Sequence, residues 1–238
     1  MKLIIDIGNT STKLTLFKGK KIIQQANIQK CDLTSIKDFI GSEVITSSIL
    51  SSSKEIDVEI LKIIKNYNGI ILTDKIKTPI INKYKTKKSL GQDRLAAVTA
   101  AAYLYPKKDV LVFDAGTCLT IDFINSKKEY LGGRISPGIH MRFKALHTFT
   151  EKLPLLSQER LVDNIGNDTD SSIISGVYQG IFSEVRDIIS EYKLINPDTV
   201  ILFTGGDCFS FEKELKSSIF ANPNLVLIGL NEILDFNG

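Results

Sequence analysis

Cysteine, long apolar runs and net charge are all scarce in this 238-residue chain, and each shortage excludes a class of protein. The cysteines, at positions 31, 118 and 208, lie far apart without CxxC spacing, which argues against a disulfide framework and against a zinc site. No apolar segment approaches the length that spans a bilayer. Asp6 interrupts the first apolar stretch before a signal-peptide core develops. We therefore expect a cytoplasmic protein that does not associate with membranes.

The chain has little excess of one sign of charge, with a net charge of only +3. A balance this close to neutral does not indicate a nucleic-acid-binding protein. One local basic cluster consists of Lys83, Lys85, Lys87 and Lys88. Two interpretations of this cluster stay open, a solvated loop and a basic rim that attracts an anionic substrate.

The chain does contain one short motif twice: an apolar strand that ends in Asp-x-Gly, then a hydroxyl residue and a second strand. The copies are residues 3–10 and 111–117, offset by 108 positions. We infer two related halves, 1–107 and 108–238, each long enough to bury a core. If the halves face each other, both Asp-Gly turns would point into one cleft, which would suit a nucleotide phosphate and its metal.

Hydrophobic periodicity predicts a mixture of strands and helices. Strands are predicted at 2–6, 11–17, 20–27, 44–50, 70–72, 110–113 and 199–203, and the first three form an antiparallel meander that recurs after residue 110. Helices are predicted from residue 32 or 34 to 40, and at 56–67, 93–105, 139–149 and 171–192. This order predicts an α/β architecture with mixed sheets.

The first Asp-Gly segment, residues 6–13, has the composition of a phosphate-binding loop. Asp6 ends a strand, Gly8 lets the backbone approach a ligand, and Lys13 supplies a point charge. Phosphoryl transfer depends on positioning and charge neutralisation, which backbone amides and a cation can supply. An ordinary β-turn is the alternative, and the second copy of the motif favours phosphate binding.

The second turn carries Asp114 and Thr117, with Asp122 further along the next strand. A carboxylate at Asp114 can hold a hard cation, and the Thr117 hydroxyl can donate to a phosphate oxygen. Two interpretations of Asp122 stay open, because its side chain could face the same cleft or the residue could merely end a strand pair.

Gly91, Gln92, Asp93 and Arg94 open an alanine-rich helix, where exposed amides favour anions. Asp93 could accept a substrate hydroxyl proton, and Arg94 could bind an anion. The structural alternative is a helix N-cap with an arginine paired to a surface acid.

Glycine-rich segments and histidines give weaker signals. Residues 132–138 and 204–206 are typical of loops, and equally of backbone that passes close to a ligand. His140 and His147 have no third metal ligand within reach in the sequence, so we expect structural or solvated side chains.

Taken together, these segments resemble type III pantothenate kinase over nearly the whole chain and in the same order. The resemblance is carried by residues 6–10, 91–94, 114–117, 132–138 and 204–206. That family belongs to the superfamily of sugar kinases, actin and heat-shock chaperone ATPases. The resemblance implies duplicated ribonuclease H-like (actin-like ATPase) domains with ATP in the cleft between them.

The resemblance also implies roles for individual residues. ATP would contact Asp6, Ile7, Gly8, Asn9, Thr10, Ser11, Thr12, Lys13 and Thr117. Pantothenate would contact Tyr84, Gly91, Gln92, Asp93, Arg94 and Thr169, the last reaching the site of the neighbouring subunit in a homodimer. Asp93 would be the proton acceptor. The metal ligands would be Asp6 and Asp114, and Asp114 matches a ligand of the potassium or ammonium ion that the family needs besides magnesium.

Two positions depart from the family pattern. Lys87 replaces a usual proline, which leaves the conformation of the substrate loop open, and Cys118 replaces a usual alanine, a small-for-small exchange. The resemblance implies ATP-dependent phosphorylation of pantothenate, the first step of coenzyme A biosynthesis, by direct transfer. The alternatives are a non-catalytic transcriptional regulator or accessory factor on the same fold, a small sugar or acetate kinase, and an exopolyphosphatase-like hydrolase.

Overall fold

The structure is a computed structural model that describes residues 1–157, 165–215 and 219–238. It divides into two compact units. The first contains Met1–Val110, Asp122–Gly132 and Asn224–Gly238, and the second contains Leu111–Ile121 and Gly133–Pro223. The division into 1–107 and 108–238 follows the repeated motif rather than compactness, and it stays a prediction.

Strands and helices alternate along the described residues, as the sequence predicts. The strands are β1 (Lys2–Ile7), β2 (Thr12–Lys18), β3 (Lys21–Ile28), β4 (Ser47–Ser52), β5 (Gly69–Ile71), β6 (Ile81–Asn82), β7 (Val110–Ala115), β8 (Cys118–Ile124), β9 (Glu129–Pro137), β10 (Val200–Thr204) and β11 (Ile219–Ala221). The helices are α1 (Leu33–Ile40), α2 (Val58–Asn66), α3 (Gln92–Leu104), α4 (Ile139–Thr148), α5 (Thr169–Ile195), α6 (Cys208–Leu215) and α7 (Leu225–Asn237).

A five-stranded sheet in the order β3-β2-β1-β4-β5 forms the centre of the first unit. The first three strands are antiparallel neighbours, which confirms the predicted meander. β4 pairs parallel with β1, and β5 pairs parallel with β4, because α1 and α2 provide the crossovers that parallel strands need. The result is the predicted mixed sheet.

Helices cover this sheet and bury its side chains. α1 and α2 both begin at aspartates, since the Asp32 carboxylate accepts a hydrogen bond from the Ser35 amide and the Asp57 carboxylate from the Glu59 amide. Their apolar faces join the sheet in one core cluster, which includes Leu3, Ile5, Leu14, Leu16, Ile36, Leu50, Ile60 and Ile64. α7 contacts β1 and β4, and α3 contacts β4. The strand that carries Asp6 is therefore enclosed by helices, and Leu3, Ile4 and Ile5 have no exposed surface.

α3 and α7 pack against each other at very short range. A Cβ atom at Gly229 of α7 would lie 1.8 Å from the Ala96 carbonyl oxygen of α3. No such atom can be accommodated without displacing backbone. This close packing holds the first turn of α3, where the Gly91–Arg94 tetrad begins, against the core of the unit.

A second sheet has six strands in the order β11-β10-β7-β8-β9-β6. β11 runs parallel to β10, and β6 runs parallel to β9. In the second unit α4 contacts α5, and α6 contacts α5 and β10. Stacked and edge-on rings of Phe113, Phe182, Phe203 and Phe211 fill the space between these elements.

Some elements differ from their predicted extents. β4 begins at Ser47 rather than residue 44, because Val44 is 75% exposed and its carbonyl accepts a hydrogen bond from the N-terminal ammonium group. α5 runs to Ile195 and starts at Thr169, where a capping box of Asp168 and Ser171 fixes its first turn. The sequence analysis missed β6, α6, β11 and α7, whose short or nearly uniform apolar patterns lack a clear period.

Candidate active site

The first Asp-Gly segment forms a tight hairpin turn between β1 and β2. The Gly8 amide donates a hydrogen bond to the Ser11 carbonyl at 3.0 Å, and a Cβ atom at Gly8 would lie 3.2 Å from that oxygen. Asn9 and Thr10 are exposed at the tip, whereas Thr12 is buried in β2. The segment is therefore a turn, as the structural alternative required, and phosphate binding at its exposed tip stays a prediction.

Asp6 lies at the base of this turn in an unusual electrostatic environment. Burial, and after it the negative charge of Asp93, raise its pKa from 3.8 to about 6, although Lys13 and a hydrogen bond from Ser51 act in the opposite direction. Lys13 and Ser51 face Asp6 because they are its register partners on β2 and β4. The two predicted carboxylates, 6 and 93, are thus brought together within the first unit.

Asp93 occupies the first turn of α3. The N-cap residue is Gly91, and no side chain caps the helix. The Asp93 carboxylate accepts a hydrogen bond from the Arg94 amide at 2.8 Å, while the Leu95 amide donates to the Gly91 carbonyl at 3.2 Å. Asp93 is therefore not the N-cap of the predicted structural alternative. A Cβ atom at Gly91 would lie 2.5 Å from Asp93 Oδ1, so only glycine leaves this carboxylate in place.

Gln92 is the first residue of α3. Its Nε2 donates to the Leu90 carbonyl at 3.3 Å. Its Oε1 is buried and has no hydrogen-bond partner among the described residues. The sequence alone gave no reason to distinguish it from its neighbours.

Arg94 is 5% exposed and pairs with Asp122, which is 1% exposed, rather than with a surface acid. Burial alone would lower the pKa of the guanidinium, but hydrogen bonds and the charge of Asp122 outweigh burial and raise it. Asp122 also accepts a hydrogen bond from the Tyr130 hydroxyl at 2.6 Å. Sequence reasoning left Asp122 open and missed Tyr130, because neither spacing nor composition links them to residue 94.

Tyr84 lies beside this buried pair. Its ring is parallel to that of Tyr130 with centroids 6.0 Å apart, and the Arg94 guanidinium carbon is 5.6 Å from the Tyr84 centroid. Gly132 approaches the Tyr84 ring, since a Cβ atom there would lie 3.5 Å from it. In the first unit, the predicted substrate residues 84 and 91–94 therefore form one cluster.

The loop before this helix, predicted to bind substrate, has an ordinary conformation despite Lys87. Residues Lys87–Ser89 form a single 3-10 turn, and the Ser89 amide donates to the Thr86 carbonyl at 3.0 Å. Of the lysine cluster, Lys83 lies 3.6 Å from Glu129, and all four side chains are exposed. Both interpretations of the cluster remain compatible with this geometry.

In the second unit, the Asp114 turn meets the loop that follows β10. A Cβ atom at Gly205 would lie 2.5 Å from Asp114 Oδ1 and 2.3 Å from the Ala115 carbonyl oxygen. Gly205 also has a φ of +88°, a backbone conformation that residues with a side chain rarely adopt. The Asp207 amide donates to the Ala115 carbonyl at 3.0 Å. A residue larger than glycine at 205 would fill the space beside the Asp114 carboxylate.

A third loop closes on the same turn. The Gly138 amide donates to the Thr117 carbonyl at 3.2 Å, and a Cβ atom at Gly138 would lie 2.2 Å from the Gly116 carbonyl oxygen. Gly138 and Gly205 therefore allow backbone to approach the Asp114–Thr117 turn, and the approach of these segments to a ligand stays a prediction.

Thr169 lies at the start of α5. It lines a groove of about 1180 Å³ between α4 and α5. The apolar lining includes Met141, Leu146, Phe149, Ile173 and Val177. Phe149 is 85% exposed, which is unusual for a large apolar side chain on the rim of a groove.

The histidines offer no metal site among the described residues, where no three His, Cys, Asp or Glu side chains cluster as metal ligands. His147 Nδ1 lies 2.8 Å from the Leu153 carbonyl, which is a structural contact. Within the same described ranges, no helix is both long and apolar enough to cross a membrane.

Comparison with known proteins extends these observations. A family model of type III pantothenate kinase matches residues 2–191. A type III pantothenate kinase of Christiangramia forsetii is 42% identical over 240 residues, covering 100% of this chain and 99% of the relative. A candidate Baf-family transcriptional activator from Campylobacter jejuni is 27% identical, with a TM-score of 0.60 over 99% of this chain and 98% of its own.

A candidate N-acetylmannosamine kinase from Listeria monocytogenes has a TM-score of 0.58 at 16% identity, over 100% of this chain and 99% of its own. This likeness and the two mixed sheets define the class, which is the actin-like ATPase and sugar kinase fold. Because the family match covers most of the sequence and relatives align over their full length, the chain belongs to the type III pantothenate kinase family. The predicted fold class and family are confirmed.

The environment of Asp6 predicts how stability depends on pH. Because its pKa in the folded protein is raised from 3.8 to about 6, ionisation of Asp6 opposes folding above that range, and the penalty disappears as the pH falls below 4. We expect Asp6→Asn to raise the unfolding free energy at pH 8 by about 1–3 kcal/mol, and much less at pH 4. Denaturant unfolding in metal-free buffer measures this difference.

Asp38→Asn is the matched control, because Asp38 is an exposed aspartate on α1. We expect it to change stability by less than about 0.5 kcal/mol at either pH. An Asp6→Asn variant that is equally or less stable than the unaltered protein at pH 8 would contradict the prediction.

Proposed function

We propose that this protein phosphorylates pantothenate with ATP to form 4'-phosphopantothenate, the first step of coenzyme A biosynthesis. The observation that carries the proposal is the pairing of Asp6 and Asp93, close enough for one charge to raise the pKa of the other carboxyl. Family membership supports the same activity. A cytoplasmic location agrees with this role.

Asp93 is the proposed general base. It accepts the proton of the primary hydroxyl of pantothenate while that oxygen attacks the γ-phosphate in line, so no phosphoenzyme forms. Asp6 lies close enough to this base for the charge of Asp93 to contribute to the raised pKa of Asp6. Backbone amides of residues 9–11 in the turn and the Lys13 ammonium group neutralise the phosphate oxygens.

Asp6 is the proposed protein ligand of the magnesium ion that would accompany ATP. The monovalent cation is proposed at Asp114, with Thr117 contacting ATP. The donor set fits such a cation, because the absent side chain at Gly205 leaves space beside the Asp114 carboxylate and the Ala115 carbonyl oxygen. Both are oxygen ligands of the kind that hard cations take, and the bound cation would supply positive charge there.

The alternatives receive no comparable support. The regulator name belongs to the Campylobacter jejuni protein, whereas the family model and the full-length relative carry the kinase name. Likeness to sugar kinases at 16% identity reflects the fold alone. A coupled assay with ATP and pantothenate, compared with acetate and several sugars, distinguishes these candidates. Turnover of acetate or a sugar without turnover of pantothenate would overturn the proposal.

We also propose that the protein works as a homodimer, with a second copy covering the groove between α4 and α5. Support comes from the exposed apolar residues at this groove and from the place of Thr169 in its lining, since the resemblance implies that Thr169 reaches a neighbouring site. A second copy would remove Phe149 and Met141 from water.

Substitution of Asp93 tests the base. Asp93→Asn keeps the shape and the hydrogen-bond acceptor for the Arg94 amide, so we expect folded protein that binds ATP normally. Turnover should fall by roughly three orders of magnitude or more, since the group that takes the proton is lost. Steady-state kinetics and calorimetric ATP binding measure the two effects. Asp74→Asn, at an exposed aspartate, is the control, and near-normal turnover in Asp93→Asn would remove Asp93 as the base.

Cation dependence tests the assignment of Asp114. We expect activity with ATP and magnesium only when potassium or ammonium is supplied, with sodium a poor substitute. Asp114→Asn should raise the potassium concentration needed for half-maximal activity by about tenfold or more, because a charged ligand is lost. Equal activity in buffers free of all such cations would contradict the assignment.

Sedimentation velocity tests the homodimer. We expect the unaltered protein to sediment as a dimer and Phe149→Asp as a monomer, because a buried carboxylate at the interface is unfavourable. Phe209→Asp is the control, since Phe209 is 57% exposed on α6, outside the groove. A monomeric unaltered protein, or an unchanged dimer in Phe149→Asp, would contradict this proposal.

A further inference from the structure

Asp122 is buried on β8 but has no part in the reaction as proposed. Both of its carboxylate oxygens face Arg94. The Arg94 Nε–H lies 2.9 Å from Oδ2 and 3.1 Å from Oδ1, and Nη2 donates to Oδ1 at 2.6 Å. This arrangement is the bidentate pairing of one guanidinium edge with a carboxylate, which fixes orientation as well as distance.

Tyrosines complete the surroundings of this pair. The Tyr130 hydroxyl donates to Asp122 Oδ1 at 2.6 Å, so the carboxylate cannot rotate away without losing a second partner. Burial raises the pKa of the Tyr130 hydroxyl, and the charge of Asp122 raises it further, which keeps Tyr130 a donor. Tyr84 stacks on Tyr130 and also lies beside the guanidinium.

The N–H donors of Arg94 therefore fall into two groups, those that Asp122 accepts and those on Nη1. An arginine has five N–H donors, and Asp122 takes those on the Nε and Nη2 edge. The Nη1 amino group lies outside that edge. Because Asp122 balances the charge, Arg94 can offer a ligand oriented N–H groups without the desolvation cost of an unpaired buried cation.

We propose that Asp122, assisted by the Tyr130 hydroxyl, is a positioning residue that holds the Arg94 guanidinium in one orientation for binding the anionic acceptor substrate. This inference rests on the proposed function, since it assumes that Arg94 contacts pantothenate. A buried ion pair does not by itself indicate a purely stabilising role, because apolar residues of the same volume often stabilise a protein equally well. Orientation of a donor is a function that apolar residues cannot supply.

The first test is the kinetics of Tyr130→Phe and Asp122→Asn. We expect Asp122→Asn to raise the KM for pantothenate by roughly 10- to 100-fold, while the KM for ATP changes less than about threefold. Tyr130→Phe, which keeps the ion pair, should raise the pantothenate KM by about two- to tenfold. Glu214→Gln is the matched control, since Glu214 pairs with Arg186 on the surface and should leave both constants unchanged.

A double-mutant cycle keeps the test decisive if Asp122→Asn is unstable. Arg94→Gln with Asp122→Asn removes both charges, so no unpaired charge stays buried. If Asp122 acts through Arg94, the double variant should have the same pantothenate KM as Arg94→Gln alone, within about twofold. A purely structural role would instead lower the melting temperature and the fraction of active enzyme without moving this KM.

The outcomes separate this inference from the proposed function. Normal turnover of pantothenate by the unaltered protein, with an unchanged pantothenate KM in Tyr130→Phe and in Asp122→Asn, would overturn the positioning role alone. Additive KM effects in the cycle would also overturn it. No turnover of pantothenate by the unaltered protein would overturn the proposed function, and the positioning role with it.

Discussion

A carboxylate that is buried beside another carboxylate is costly, and the first unit is built to hold Asp6 in that position. β1 is enclosed by helices, its neighbours Lys13 and Ser51 face Asp6 by strand register, and Asp93 approaches from α3. The stability of the core around Asp6 offsets the cost of burying its charge. Such stored destabilisation is typical of catalytic sites, where charges must be available to a ligand instead of satisfied within the protein.

A second constraint is the different environment of Arg94, which lies next to this pair of carboxylates in the sequence. Arg94 follows Asp93 directly, yet the charge of Arg94 is balanced by Asp122, whereas the Asp93 carboxylate accepts a hydrogen bond from the Arg94 amide. These two adjacent residues on one helix turn therefore lie in different environments. Arg94 is buried and paired with an opposite charge, whereas Asp93 is half-buried beside the like charge of Asp6. This difference suits a proposed division of work, in which Asp93 moves a proton and Arg94 holds an anion in a fixed orientation.

In the second unit, the main structural constraint is the close approach of loop backbone to the Asp114–Thr117 turn. Gly138 and Gly205 let two loops approach the Asp114–Thr117 turn at distances that no Cβ atom permits. Carbonyl and carboxylate oxygens are concentrated there as a result. The long helix α5 and its partner α4 instead leave an apolar groove, which is the feature of this unit that most resembles a surface for another copy of the chain.

Local pattern was enough to predict the meander, the two Asp-Gly turns, the helices with clear periodicity and, through the quoted motifs, the family. These properties depend on residues within a few positions of each other, which the sequence displays directly. The sequence did not predict α7 or the pairing of Arg94 with Asp122 and Tyr130, because those depend on packing and strand register between distant segments. Only the tertiary structure decided which buried charge has a partner, since pairing of buried charges is a property of position in three dimensions.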